Sequence, residues 1–298
     1  MEMAQNYKQV QKVLLIILFA NFGVAILKIV VGTLIRSSSM TADGFHSLSD
    51  GTSNIIALIG IHFAAKPADT GHPYGHHKME TLTGMAIGVL LLSVGIKVVV
   101  EAVGKFSHPV MPTITTFSLI ALVITLGINI FVTTYERRVG EKLGSSVLIS
   151  DATHTKSDIY ITIGVLLTLL GVKFGLPPIL DPIVSLVVAG FIFYAAWEVL
   201  KENGNVLLDA SPIDTNQVRE LILPLNGVRD VHKIRSRGTN QQAFLDMHVL
   251  VDPAMSIEAG HELEHRIEDT VRATFNPNTQ VLVHIEPFQE GVDQTEKI

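Results

Sequence analysis

The 298 residues are 48% hydrophobic and only 17% charged, with a formal net charge of −6 and no cysteine. A soluble chain carries about a quarter charged residues, so a wholly soluble protein is excluded, as are disulfides and thiolate metal sites. Residues 201–298 hold 9 Lys and Arg against 16 Asp and Glu; this acidic stretch accounts for the negative balance, disfavours nucleic acid as a partner and suits cations.

A transmembrane helix needs roughly 20 mostly apolar residues. The first such run, 13–34, lacks a small-residue cleavage site and reads as a retained span rather than a cleaved signal. The second, 55–65, is too short to cross alone and reaches spanning length only with the polar stretch 41–54, which contains Asp43-Gly-Phe-His46-Ser-Leu-Ser-Asp50. Then comes a polar connection, Asp69-Thr-Gly-His72-Pro-Tyr-Gly-His76-His77-Lys-Met-Glu80. Runs 82–100 and 114–133 qualify as the third and fourth spans. The fifth, 159–170, again needs the polar stretch before it, with Asp151-Ala-Thr-His154-Thr-Lys-Ser-Asp158. Run 179–200 is the sixth.

Six spans put both termini on one side. The loops on that side carry Lys8, Lys12, Lys66, Lys78, Arg137, Arg138 and Lys142, against Arg36, Lys105 and Lys173 opposite. The positive-inside bias predicts cytoplasmic termini and a multi-pass protein of the cell (inner) membrane.

The two polar stretches share the pattern D-x₂-H-x₃-D. At 3.6 residues per turn, positions i, i+3 and i+7 fall in one helical stripe. His46 with Asp50, and His154 with Asp158, can therefore grip one ion between two helices. Two nitrogens and two oxygens suit tetrahedral Zn²⁺. Carboxylates at bilayer depth cost several kcal/mol unless paired or coordinated, and a shared divalent cation meets that need better than a water-filled seam. The spans run in opposite directions, so Asp50 and Asp158 meet near the midplane while Asp43 and Asp151 lie toward opposite mouths of an ion pathway.

After 211 the pattern predicts helix 215–225, strands 228–236 and 243–251 joined by a hairpin at 238–241, helix 256–275 and strand 279–287. His232, His248, His261 and His284 fall on these elements, with Glu286 close to the last. His261-Glu262-Leu263-Glu264-His265 also fits H-E-x-x-H, the zinc metalloprotease pattern. It sits on an amphipathic helix of a small domain without a recognisable third ligand, so a membrane-tethered protease is a rival reading rather than the main one.

With its paired motifs, the chain resembles the cation diffusion facilitator family over nearly its whole length. The resemblance implies a six-helix all-α transmembrane domain (1–206), a cytoplasmic α+β ferredoxin-like, metallochaperone-like domain (207–290) and a flexible tail (291–298). It implies a homodimeric metal/proton antiporter rather than an enzyme. His46, Asp50, His154 and Asp158 match the family's transport site, and His at the first position of a pair is generally a zinc feature; Fe²⁺, Mn²⁺ and Cd²⁺ are alternative cargoes. Asp69, His72 and His76 match a cytoplasmic loop site, with the choice between His76 and His77 open. Lys78 and Asp209 match a dimer interlock. His232, His248, His261, His284 and Glu286 would form a regulatory, dinuclear site near the dimer interface. A non-transporting metal sensor is the remaining rival.

Overall fold

The computed structural model describes residues 2–34, 38–107, 116–174, 177, 179–239 and 242–289; the side chains of 31–50, Asp43, His46 and Asp50 among them, lie outside the described set, as does the predicted tail 291–298. The chain forms two compact units, Met1–Gly204 and Asn205–Ile298.

The first unit is built from six long helices: α1 (Glu2–Leu34), α2 (Ser38–Ala64), α3 (Lys78–Ser107), α4 (Thr116–Leu143), α5 (Ser146–Lys173) and α6 (Leu180–Leu207). Its burial departs from the soluble rule. Phe19, Phe131, Tyr194 and Trp197 are each about two-thirds or more exposed, while Ser53, Asn54, Glu136, Asp151, His154 and Asn203 are buried. Apolar rims around an interior that also holds polar groups are what a lipid solvent selects. Among the described residues, Asn6–Leu27, Lys78–Phe106 and Pro182–Leu207 are long and apolar enough to cross a membrane, and Gly51–Ala64 is a shorter apolar stretch. α2 and α5 are uniformly helical all the same, because their polar halves continue the helix instead of ending it.

Two apolar clusters hold these helices. Leu14 and Ile17 of α1, Ala57 and Ile61 of α2, Ile87 of α3, Val132 of α4 and Leu148 of α5 form one. Leu91 of α3 with Val188 and Ile192 of α6 anchor the other. Close approach depends on missing side chains: a Cβ at Gly60 would lie 1.8 Å from Thr83 Oγ1, and one at Gly84 would lie 2.3 Å from Asn203 Oδ1. Small residues at such crossings let backbones approach where lipid offers no hydrophobic drive. The start of α5 is capped from two directions. Leu148 N–H donates to Ser145 Oγ (3.4 Å), and Ser145 Oγ donates to Glu80 Oε1 of α3 (2.5 Å).

The second unit contains α7 (Thr215–Ile222), β1 (Asp230–Thr239), β2 (Gln242–Val251), α8 (Ile257–Thr274) and β3 (Gln280–Pro287). Asp214 and Ser256 cap the two helices by accepting from Asn216 N–H and Ala259 N–H. The sheet runs β1-β2-β3, antiparallel then parallel. Val218 and Ile222 of α7 and Leu263, Ile267 and Val271 of α8 pack on Val231, Leu245, Met247, Val249 and Val283. Both helices thus cover one face, and the period of two sends the alternate strand residues to the other.

Candidate metal centres

α5 carries its polar side chains without losing backbone hydrogen bonds. Thr155, Ser157 and Thr162 donate to the carbonyls of Asp151, His154 and Asp158 on the same helix. Self-satisfied hydroxyls of this kind let a polar helix sit inside a membrane domain. Along its stripe Asp151 is fully buried, His154 is 5% exposed and Asp158 is half-buried. Nδ1 of His154 receives no hydrogen-bond partner among the described residues. Residues 43, 46 and 50 lie in the helical backbone of α2, which packs against α5.

A polar chain crosses the helices beside this stripe. Asn21 of α1 donates to Asn54 Oδ1 of α2 (2.9 Å), and Asn54 Nδ2 donates to Asp151 Oδ2. Glu136 of α4, fully buried, faces the Asp151 carboxyl. Sequence alone does not single out Glu136, because Tyr135 and Arg137 flank it and suggest an interfacial turn. The buried spacing of Thr125, Val132, Thr133 and Glu136 is the helical signal that marks the inward face. Asn21 and Asn54, amides inside apolar runs, are the sequence cues that point to this interior.

The connection between α2 and α3 brings three predicted ligands together. Asp69 Oδ1 lies 3.2 Å from His72 Nδ1, Asp69 Oδ2 lies 3.6 Å from His76 Nε2, and one donor atom from each of the three residues falls within 4.8 Å of the others. His76 Nδ1 is 3.2 Å from the Pro67 carbonyl, which orients the ring and leaves Nε2 for a ligand. The His72 N–H holds the Asp69 carboxyl below its ordinary value, so it stays ionised. His77 turns the other way. Its Nδ1 sits 3.0 Å from Tyr7 Oη and its ring stacks on Tyr7.

In the second unit, register makes the centre. His232, His248 and His284 are directly opposite one another across the three strands. A bulge at Lys233 (φ 50) in β1 absorbs one residue and so keeps His232 opposite His248, on the face away from the helices. Glu286 reaches all three imidazoles, at 2.9 Å from His248 Nδ1, 3.3 Å from His232 Nε2 and 3.6 Å from His284 Nε2. Burial pushes the Glu286 carboxyl up, but the hydrogen bond with His248 and the three imidazoles outweigh it and hold it below its ordinary value. One donor atom each from His232, His248 and Glu286 falls within 4.8 Å of the others, a spacing that suits one divalent metal, and the exposed His284 stands at the edge of this set.

His261 does not join this row. It lies on α8, which covers the opposite face of the sheet, and its Nε2 is 3.1 Å from His265 Nε2. Both rings of the H-E-x-x-H pair are exposed. Lys78 opens α3, and Asp209 follows α6 in the left-handed region (φ 55).

Residues 14–208 match the family described as the cation efflux transmembrane domain, and 210–288 match the cation efflux protein cytoplasmic domain. The chain belongs to the cation efflux, or cation diffusion facilitator, family. It is 28% identical over 96% of its length to uncharacterized transporter YdbO of Bacillus subtilis (strain 168), covering 99% of that protein. It is 30% identical over 97% of its length to manganese efflux system protein MneP of the same organism, covering all of it. The second unit is 26% identical to a solved structure titled "MamM CTD - Copper form", covering 27% of this chain and 88% of that one with a TM-score of 0.25. This cation efflux family member is a multi-pass membrane transporter of divalent metal cations, with a small α+β domain at its C-terminal end.

Proposed function

We propose that this protein is a homodimeric secondary transporter that exports Zn²⁺ from the cytoplasm in exchange for protons, from the cell (inner) membrane and with both termini cytoplasmic. The observation that carries the reading is His154 and Asp158 one turn apart on α5, buried and half-buried, on a helix packed against the one that bears His46 and Asp50. A mixed nitrogen and oxygen set favours Zn²⁺. His46 and His154 must be neutral to ligate, so protons and metal compete for the same nitrogens and a proton gradient can displace the metal. The test is flux in proteoliposomes under an imposed pH gradient. Gradient-driven Zn²⁺ flux is expected in the native chain and lost in Asp50→Ala. Binding of metal without flux of any kind would replace this reading with that of a metal sensor.

A second cargo has one specific observation in its favour. The relative MneP, alike over its whole length, is named a manganese efflux protein. Mn²⁺ flux exceeding Zn²⁺ flux in the same vesicles would move the assignment to Mn²⁺.

The Asp69, His72 and His76 cluster is a cytoplasmic loop site in this reading, and Lys78 with Asp209 locks the two subunits. The His232, His248, His284 and Glu286 row senses cytoplasmic metal. His261, on the far side of the sheet in its own subunit, enters that site only from a second copy.

A further inference from the structure

Glu136 and Asp151 are both fully buried, and their carboxyls interact directly between α4 and α5. Asp151 accepts from two donors on α2: Asn54, itself fixed by Asn21 of α1, and Ser53. Three oxygens, Asp151 Oδ1 and both oxygens of Glu136, nevertheless receive no donor from any third group among the described residues, and the two carboxyls can hydrogen-bond only to one another. The neighbouring cation Arg137 is engaged elsewhere, since it pairs with Glu141 at 2.9 Å on the exposed side of the helix.

Buried carboxylates without donors are costly. A proton shared between the two groups would join one oxygen of each and leave the third orphaned. A divalent cation would take all three. Asp151 also lies three residues before His154, a rise of about 4.5 Å along α5, so an ion held there is within one step of the transport ligands.

We infer that Glu136 and Asp151 form a second cation site in the membrane unit, an all-oxygen station from which a divalent ion passes to the His154 and Asp158 set. The inference rests on the transport reading for its direction but not for its binding chemistry. Carboxylate oxygens without nitrogen or sulfur suit harder divalent ions of the Mn²⁺ class. The station therefore discriminates less against Mn²⁺ than the histidine-bearing set beyond it.

The test counts bound Mn²⁺ by electron paramagnetic resonance in the full-length protein carrying Asp158→Ala, with and without Glu136→Gln. The loop and tail sites are common to both proteins, so the difference isolates the station. Loss of one Mn²⁺ per protomer on adding Glu136→Gln, and its return with Glu136→Asp, is expected. In the otherwise native chain, Glu136→Gln is expected to raise the KM for Mn²⁺ flux about tenfold. An unchanged ion count, or Glu136→Asp as defective as Glu136→Gln, overturns the station. Flux persisting in Asp158→Ala would overturn the transport-site assignment instead, and is read separately from the ion count.

Discussion

His76 and His77 are consecutive in the chain and chemically identical, yet they face different partners. Pro67 and Asp69 take the first ring, and Tyr7, 70 positions away, takes the second. Replacing His76 by Ala is therefore expected to weaken metal binding at the loop by tenfold or more, on the order of the loss of one ligand, while His77→Ala leaves it within about twofold. Isothermal titration of both variants with Zn²⁺ checks this, and the reverse ranking would exchange their roles. The sequence carries the loop site down to this choice and no further. Spacing names the candidate ligands, but only a long-range contact says which imidazole is spent on packing. Glu136 is illegible for the same reason: its neighbours in sequence are exposed, and the groups it faces come from another helix.

At the level of elements, the eleven helices and strands of the described residues are readable from apolar runs and period, with strand ends displaced by up to three residues. What period cannot give is the side of the sheet on which His261 falls. A residue on the helix layer cannot share the strand face that carries His232, His248 and His284, however suitable its chemistry. The bulge at Lys233 leads to a specific expectation. Pairing on the hairpin side, Arg235 with Asp246, differs by one residue from pairing at His232 with His248. Removing Lys233 makes the ladder regular and still sets His232 opposite His248. Deletion of Lys233 is therefore expected to preserve metal affinity within about threefold, whereas a one-residue slip would turn His232 to the other face. Metal titration of the deletion variant decides.

The turn after β2 adds a dependence on pH. The Ala254 N–H, then Arg229, holds the Asp252 carboxyl below its ordinary value of 3.8. A carboxyl with a depressed folded pKa contributes stability that is full above its unfolded value and is lost as pH falls through the folded one. Asp252→Asn should accordingly flatten the fall in melting temperature on acidification from about pH 5 to about pH 2. An equally steep fall in the variant would assign the acid sensitivity to other groups.

For the whole molecule, charge is concentrated where metal is expected to act. In the proposed homodimer two acidic C-terminal domains would repel one another, and metal bound at their histidine rows would reduce that repulsion. Zn²⁺ is expected to shorten the distance between spin labels on paired domains in the native protein and to leave it unchanged in His248→Ala. Equal shortening in both would move the response to another site.

The exposed apolar rim has a practical consequence. Trp197, the chain's single tryptophan, stands 66% exposed on α6 within one of its most apolar stretches. Its fluorescence is a built-in probe of the surrounding solvent. Brominated acyl chains that touch the indole would quench it, and the acyl position that quenches most would give its depth in the bilayer without any label being attached.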